Sequence, residues 1–189
     1  IGVQIDPKHP KIQHLVDDIK EKEYIGYSFD SAEASFELLA RRLLVGVPEY
    51  FRIDRFRVMD ERRFNAKGQL VVESEATATV EIGGDRLHEV AVGNGPVNAL
   101  DIAIRKALTG HYPSLERVRL IDYKVRILPP SEDGEGTDAV TRVMIESGDD
   151  DKVWTTIGVS ANIIDASINA LSDSLTYKLM KDAAVAGGA

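Results

Sequence analysis

The segment best suited to chemistry is residues 93–96, Gly-Asn-Gly-Pro, called here the GNGP turn. Its two glycines permit positive φ and close approach of a ligand to the backbone. Pro96 suits the first position of a helix, where its missing N–H costs no hydrogen bond, and the N–H groups of Asn98 and Ala99 are expected to point outward. A helix start of this kind attracts a carboxylate or phosphate. The spacing is equally typical of a tight strand-to-helix joint without a ligand, so both interpretations stay open.

No other motif predicts catalysis or metal binding. The sequence has no P-loop, no nucleophile elbow, no dinucleotide-binding fingerprint and no cysteine. The four histidines, at positions 9, 14, 88 and 111, form no pair at the spacing of metal ligands. The acidic segment 132–151 does not match the pattern of a calcium loop and is interpreted as solvated. We therefore predict no catalytic residue and no metal ligand in this chain.

Composition limits the class of protein and its partners. The 189 residues, 43% of them hydrophobic, suffice for one domain, or a compact domain with a smaller appendage. The lack of cysteine fits a reducing compartment, and no signal pattern or apolar run of about 18 residues occurs, so we expect a cytoplasmic protein without membrane contact. The net charge of -8 argues against nucleic acid as a partner. Because the first residue is Ile1, we expect a piece of a longer protein.

Residues 1–48 are predicted to form a helical accessory subdomain and linker. Apolar residues recur at helical spacing from Ile12 to Ile19, and the pattern breaks at Gly26. A second helix follows, for which Asp30 and Glu33 resemble a capping box. The segment 45–49, which contains a glycine and a proline, is predicted to end this helix and to allow bending.

Residues 49–189 are predicted to form two tandem βββα units, which makes the fold class α+β. Alternating patterns from Tyr50 to Val92 indicate three strands, and a helix follows the GNGP turn. The same order returns between residues 117 and 175, and we interpret Gly158 as the counterpart of Gly93 at the end of a third strand. One helix covers only one face of its sheet, so packing of two units, or of two chains, would bury more surface. Dimerisation is therefore plausible.

Four segments together resemble the C-terminal part of the 2-isopropylmalate synthase and citramalate synthase family. They are GYSFDSAEASFELL (26–39), GNGPVNAL (93–100), LIDYKV (120–125) and WTTIGVSANIIDAS (154–167). The AEASFELL and NIIDAS forms are most similar to the citramalate synthase branch. In this family an N-terminal barrel condenses acetyl-CoA with a 2-oxo acid using a divalent metal. The barrel has no counterpart here, so the resemblance implies no cofactor in this fragment and an acyltransferase as the parent enzyme.

The resemblance also implies a homodimer whose C-terminal domain binds a branched-chain amino acid, isoleucine first or leucine second, as a feedback inhibitor. The carboxylate of the amino acid would bind at the GNGP turn, and residues of the next strand would contact its side chain. The resemblance also implies residues at the end of a later strand, on a weaker match. The implied effector-binding residues are Asn94, Gly95, Pro96, Val97, Asn98, Leu120, Tyr123, Ile127, Thr156, Ile157 and Gly158. For Leu120 and Ile127 an ordinary place in the core is the alternative. For the whole chain the alternative is a structural dimerisation domain without a ligand.

Overall fold

The structure is a computed structural model that describes residues 9–129 and 139–186. The chain divides into two compact units, one of residues 1–48 and 117–189 and one of residues 49–116. The elements are α1 (Pro10–Tyr24), α2 (Glu33–Leu44), β1 (Arg52–Phe64), β2 (Leu70–Ile82), β3 (Asp85–Gly93), α3 (Pro96–Thr109), β4 (Arg119–Ile127), β5 (Thr141–Gly148), β6 (Val153–Ser160) and α4 (Ile163–Ala186). The predicted fold class, a helical hairpin followed by two βββα units, is confirmed.

The unit of residues 49–116 is an antiparallel sheet of order β1-β2-β3 covered on one face by α3. Gly83 and Gly84 have φ of 58° and 97°, the left-handed values that a two-residue hairpin turn requires. Every second residue from Ala76 to Ile82 on β2 is buried, as the alternating sequence predicts. The facing stripe of α3 is also buried and consists of Ala99, Leu100, Ala103, Ile104, Ala107 and Leu108.

The other unit has a sheet of order β4-β5-β6, with α4 packed on β5 and β6. The helical hairpin belongs to this unit: α1 packs on α2 through Leu15, Ala40 and Leu44. The backbone N–H groups of Thr155 and Ile157 on β6 donate to side chains of α2, to Glu33 Oε1 at 2.9 Å and to Ser35 Oγ at 3.0 Å. Thus α2 covers N–H groups that an edge strand would otherwise expose.

Two sequence-based interpretations are wrong in detail. The residue before α2 is Ala32, which offers no side-chain cap, and Asp30 lies in a short 3-10 turn instead of capping the helix. Gly158 lies inside β6, which continues to Ser160, so this glycine does not end the strand as Gly93 ends β3. The first part of the predicted acidic segment, residues 132–138, lies outside the described residues.

Neither a membrane-spanning helix nor a metal centre occurs in the described part of the chain. No helix among residues 9–129 and 139–186 is long and apolar enough to cross a bilayer. Within the same residues, no three His, Asp or Glu side chains are grouped so that they could hold a metal ion.

Candidate functional site

The start of α3 presents two backbone donors to solvent. Ala99 N–H makes the first intrahelical hydrogen bond, to the Gly95 carbonyl oxygen at 2.9 Å, so the expectation that this group is free is wrong. The N–H groups of Val97 and Asn98 have no hydrogen-bond acceptor among the described residues. The side chain of Asn98 accepts a hydrogen bond from Asn94 N–H at 3.0 Å, which holds the turn against the helix. Two N–H groups at a helix start are therefore available to an anion.

The two glycines of the GNGP turn have different roles. A Cβ at Gly93 would stand 2.6 Å from Ala99 N, so the close approach of β3 to α3 requires a glycine there. A Cβ at Gly95 would have no described atom within 4 Å. Gly95 has φ of −179°, an extended conformation open to any residue, so positive φ explains neither glycine. The space beside Gly95 is thus open on the side where a ligand would approach.

The start of α4 has the equivalent position in the other unit but is capped. Asn162 Oδ1 accepts hydrogen bonds from Ile164 N–H at 2.8 Å and from Asp165 N–H at 3.4 Å. This is a standard N-cap, and it occupies donors that are free in α3. Of the two helix starts, only that of α3 keeps such donors uncapped within the described chain.

A β-bulge brings Leu120 and Tyr123 to the same face of their sheet. The register of β4 against β5 shifts between Leu120 and Asp122, so two residues three apart in sequence both lie on the side of α4. Tyr123 Oη lies 2.7 Å from Ser167 Oγ on α4. Leu120 and Ile127 are 39% and 68% exposed. In this chain neither is an ordinary core residue, and both offer apolar surface.

Packing contacts within the unit involve all three residues predicted at the end of β6, namely Thr156, Ile157 and Gly158. Thr156 is completely buried and its hydroxyl donates to the Ala170 carbonyl oxygen at 2.7 Å. Ile157 is 1% exposed, and a Cβ at Gly158 would stand 2.0 Å from the Ala166 carbonyl oxygen. These contacts favour a structural role, and the assignment of the three residues to an effector site stays a prediction.

The predicted residues thus fall into two groups, each in its own unit. Residues 94–98 lie in the unit of residues 49–116, and the others lie in the unit that contains α4. Tyr123 and Thr156 pair with the same residue, Ile145, from opposite sides, so they lie on one sheet face. Ile157 points to the other face.

Sequence reasoning missed a charged network between α2 and α4. Glu37 accepts hydrogen bonds from Arg41 Nε and Lys181 Nζ, both at 2.7 Å, and from Tyr177 Oη at 3.1 Å. Burial raises the pKa of Glu37, but its hydrogen bonds to Lys181 and Arg41 outweigh burial and leave the pKa below its usual value. Burial and the Glu37 charge raise the pKa of Tyr177 to about 12. Tyr177 and Lys181 lie more than 130 positions from Glu37 in the chain and share no motif with it. No sequence signal could therefore have linked α2 and α4 through this network.

Comparison with known proteins places this architecture in a family. Residues 30–179 match the family described as the LeuA allosteric (dimerisation) domain. The chain belongs to the LeuA allosteric (dimerisation) domain family. The matched region begins just before α2 and ends in α4, so all six strands and α3 of this LeuA domain lie within it.

The relatives of this LeuA domain are synthases. It is 50% identical over 186 residues to the (R)-citramalate synthase of Geobacter sulfurreducens. This match covers 98% of this chain and 34% of the relative. It is 49% identical over 181 residues to that of Aquifex aeolicus, covering 96% of this chain and 33% of the relative. It is 35% identical over 119 residues to the 2-isopropylmalate synthase of Shewanella woodyi, and the match covers 59% of this chain and 21% of the relative. The chain spans about a third of the length of the citramalate synthases it matches.

Proposed function

We propose that this LeuA domain is the feedback-regulatory part of an acetyl-CoA-dependent citramalate or 2-isopropylmalate synthase and forms a homodimer. It binds a branched-chain amino acid, isoleucine first and leucine second, and its occupancy controls the upstream catalytic barrel. The divalent metal and acetyl-CoA belong to that barrel. The proposal draws on the family description and on the synthase names of the relatives.

The observation that supports ligand binding best is the uncapped start of α3. Val97 and Asn98 keep free N–H groups there, and the space beside Gly95 is open. A carboxylate that accepts hydrogen bonds from both N–H groups would also face the positive end of the helix dipole. The capped start of α4 offers no such place, so of the two βββα units only the first presents this carboxylate position.

The apolar part of the effector needs a different kind of surface. Leu120 and Ile127 expose such surface on β4, and the family resemblance implies this role for them. Isoleucine and leucine differ only in the position of one methyl group, so the shape of this surface would discriminate them by about 1–3 kcal/mol. Control of the barrel further requires that the effector bind two states of the protein with different affinity.

Titration of isoleucine and of leucine against the chain tests the proposal. At about 100 times Kd, a bound effector adds about 2.7 kcal/mol of stability and raises the melting temperature by roughly 5–10 °C. Gly95→Val would fill the space beside the free N–H groups and is expected to abolish the shift. Its own melting temperature should stay unchanged, because an extended backbone with no neighbour accepts valine.

Gly110→Val is the matched control, because its Cβ also meets no described atom but lies at the far end of α3. This variant should keep the full effector shift. Equal binding by the Gly95→Val variant would remove the GNGP turn from the site. No shift with either amino acid would refute effector binding altogether.

A structural dimerisation domain is the second candidate. It is favoured by apolar side chains that the isolated chain leaves uncovered, above all Phe64 at 73% exposure and Ile127 at 68%. Sedimentation separates the candidates when it is combined with the titration. A stable dimer that ignores both amino acids supports the structural role alone.

A further inference from the structure

A polar pocket lies in the unit that contains the helical hairpin and α4. It has a volume of about 290 Å³ and opens between α1, α2 and α4. Eight of the side chains in its wall are polar or aromatic, and six of these carry the argument below: Lys22, Tyr27, Arg42, Asn169, Ser172 and Asp173. Of the residues assigned above to the amino-acid effector, only Ile157 reaches it. The pocket is therefore a separate place from the start of α3.

The charges in this wall sum to one positive charge, although the whole chain has a net charge of -8. Lys22 and Arg42 contribute the cations and Asp173 the anion. The Lys22 ammonium lies 4.7 Å from the centre of the Tyr27 ring and forms no ion pair with a described residue. The Asp173 carboxylate interacts with the Lys22 charge from within the same wall, but an ammonium that forms no ion pair and lies next to an aromatic face is available to an anionic ligand.

Asp173 already has partners within the protein. Its Oδ1 accepts from Arg42 Nη2 at 2.9 Å and its Oδ2 accepts from Ser35 Oγ at 3.3 Å. Burial raises the pKa of Asp173, and the Arg42 charge opposes this effect. Arg42 remains 46% exposed at its side chain, so Asp173 orients the guanidinium while other N–H groups of the fork stay accessible.

Neutral polar groups complete the wall. Asn169 and Ser172 are three residues apart on α4 and so lie on one helical face. Neither side chain makes a hydrogen bond to a described residue. An amide and a hydroxyl beside two cations can bind an oxygen atom next to a carboxylate.

We propose that this pocket binds a small monocarboxylate with a hydroxyl or carbonyl group on the adjacent carbon. The carboxylate lies between Lys22 and Arg42, and the second oxygen contacts Asn169 and Ser172. One positive charge in the wall matches one carboxylate, and a second carboxylate would face Asp173. The volume, at the small end of ligand pockets, favours a ligand of a few carbons.

The test uses lactate and pyruvate as probes, titrated against the 189-residue chain by calorimetry. Both should bind saturably, and propionate, which lacks the second oxygen, should bind more weakly. Lys22→Met is expected to raise the Kd for lactate about tenfold, the effect of one lost charged hydrogen bond. Lys20→Met is the matched control on the same helix, where an exposed lysine lies outside the pocket, and should leave the Kd unchanged.

Asn169→Leu gives a second measurement, because its exposed position on α4 tolerates the change without loss of fold. It should weaken lactate and pyruvate but not propionate. Absence of saturable binding, tighter binding of succinate than of lactate, or equal effects of the two lysine variants would each overturn the proposal. Saturating isoleucine should leave the lactate Kd unchanged, so this pocket and the amino-acid site can fail independently.

Discussion

Replacement of Gly158 by alanine should loosen α4 from its sheet. A Cβ at this position would stand 2.0 Å from the Ala166 carbonyl oxygen and 2.8 Å from Ala170 N, both backbone atoms of α4. Ordinary contact begins at 3.4 Å, so the helix must withdraw by about 1.4 Å. Backbone atoms cannot rotate away as a side chain would, and the strain falls on the contacts that join α4 to the sheet.

Three hydrogen bonds would then stretch beyond their normal range. The hydroxyl of Thr156 and the phenol of Tyr123 lie 2.7 Å from their partners on α4, and the indole N–H of Trp154 lies 2.9 Å from its partner. At about 1 kcal/mol each, their loss costs about 3 kcal/mol, the upper end of the usual effect of overpacking. The melting temperature should fall by roughly 10 °C.

Urea unfolding measures this effect with two probes. Trp154 is the single tryptophan and is 3% exposed, so its fluorescence reports the unit that contains Gly158. Far-UV circular dichroism reports both units. Gly110→Ala serves as the control, because its Cβ has no described neighbour within 4 Å and its φ of −63° suits alanine. If the two variants unfold at the same urea concentration, the close packing of β6 on α4 does not constrain this protein.

The charges at the C-terminal end of α4 give two further predictions. Lys178→Met should lower stability by about 3–5 kcal/mol, because Lys178 is 8% exposed and its ammonium lies 2.7 Å from both Asp149 and Asp182, which would lose their partner. Acid should cancel the contribution of Asp149: burial raises its pKa, but Lys178 and the N–H groups of Asp151 and Lys152 outweigh burial and hold it at about 2. Because this pKa is lowered, the stabilisation is fully present above the ordinary value of 3.8 and is lost as the pH falls through about 2.

Urea unfolding at a series of pH values checks both predictions. The difference in stability between the parent chain and an Asp149→Asn variant should be constant above pH 5 or so and shrink toward pH 2. A difference that persists at the lowest pH would show that the ion pair with Lys178 does not set the pKa. For Lys178→Met, a loss below about 1 kcal/mol, the range of exposed pairs, would show that solvent reaches the pair.

Local patterns predicted most of the secondary structure. The helix predicted after the GNGP turn is α3, and its apolar residues Leu100, Ile104 and Leu108 are completely buried. The alternating patterns predicted three strands between Tyr50 and Val92, and the structure has β1, β2 and β3 there. These signals depend on residues within one or two turns of each other, so the sequence contains them completely. The capping box failed because Asp30 lies inside a 3-10 turn and the Glu33 side chain accepts a hydrogen bond from Thr155 N–H on β6.

The candidate sites depend on contacts that no local pattern contains. The GNGP turn was found from its residue types, but its openness was decided by which N–H groups the fold leaves unpaired. The bulge in β4 moved Leu120 and Tyr123 to one face, against their spacing of three. The polar pocket between α1, α2 and α4 joins residues that are up to about 150 positions apart in the chain.

The family, the α+β fold class and the position of the strand-to-helix turn can be assigned from the amino-acid sequence, because short motifs and periodicity are written in consecutive residues. Only the tertiary structure decided which helix start is open. Asn162 folds onto the start of α4 and caps it, whereas Asn98 bonds back to the turn and leaves the start of α3 uncapped. The same residue type has opposite effects because its position relative to the first helical turn, and not its identity, decides which N–H group its side chain can reach.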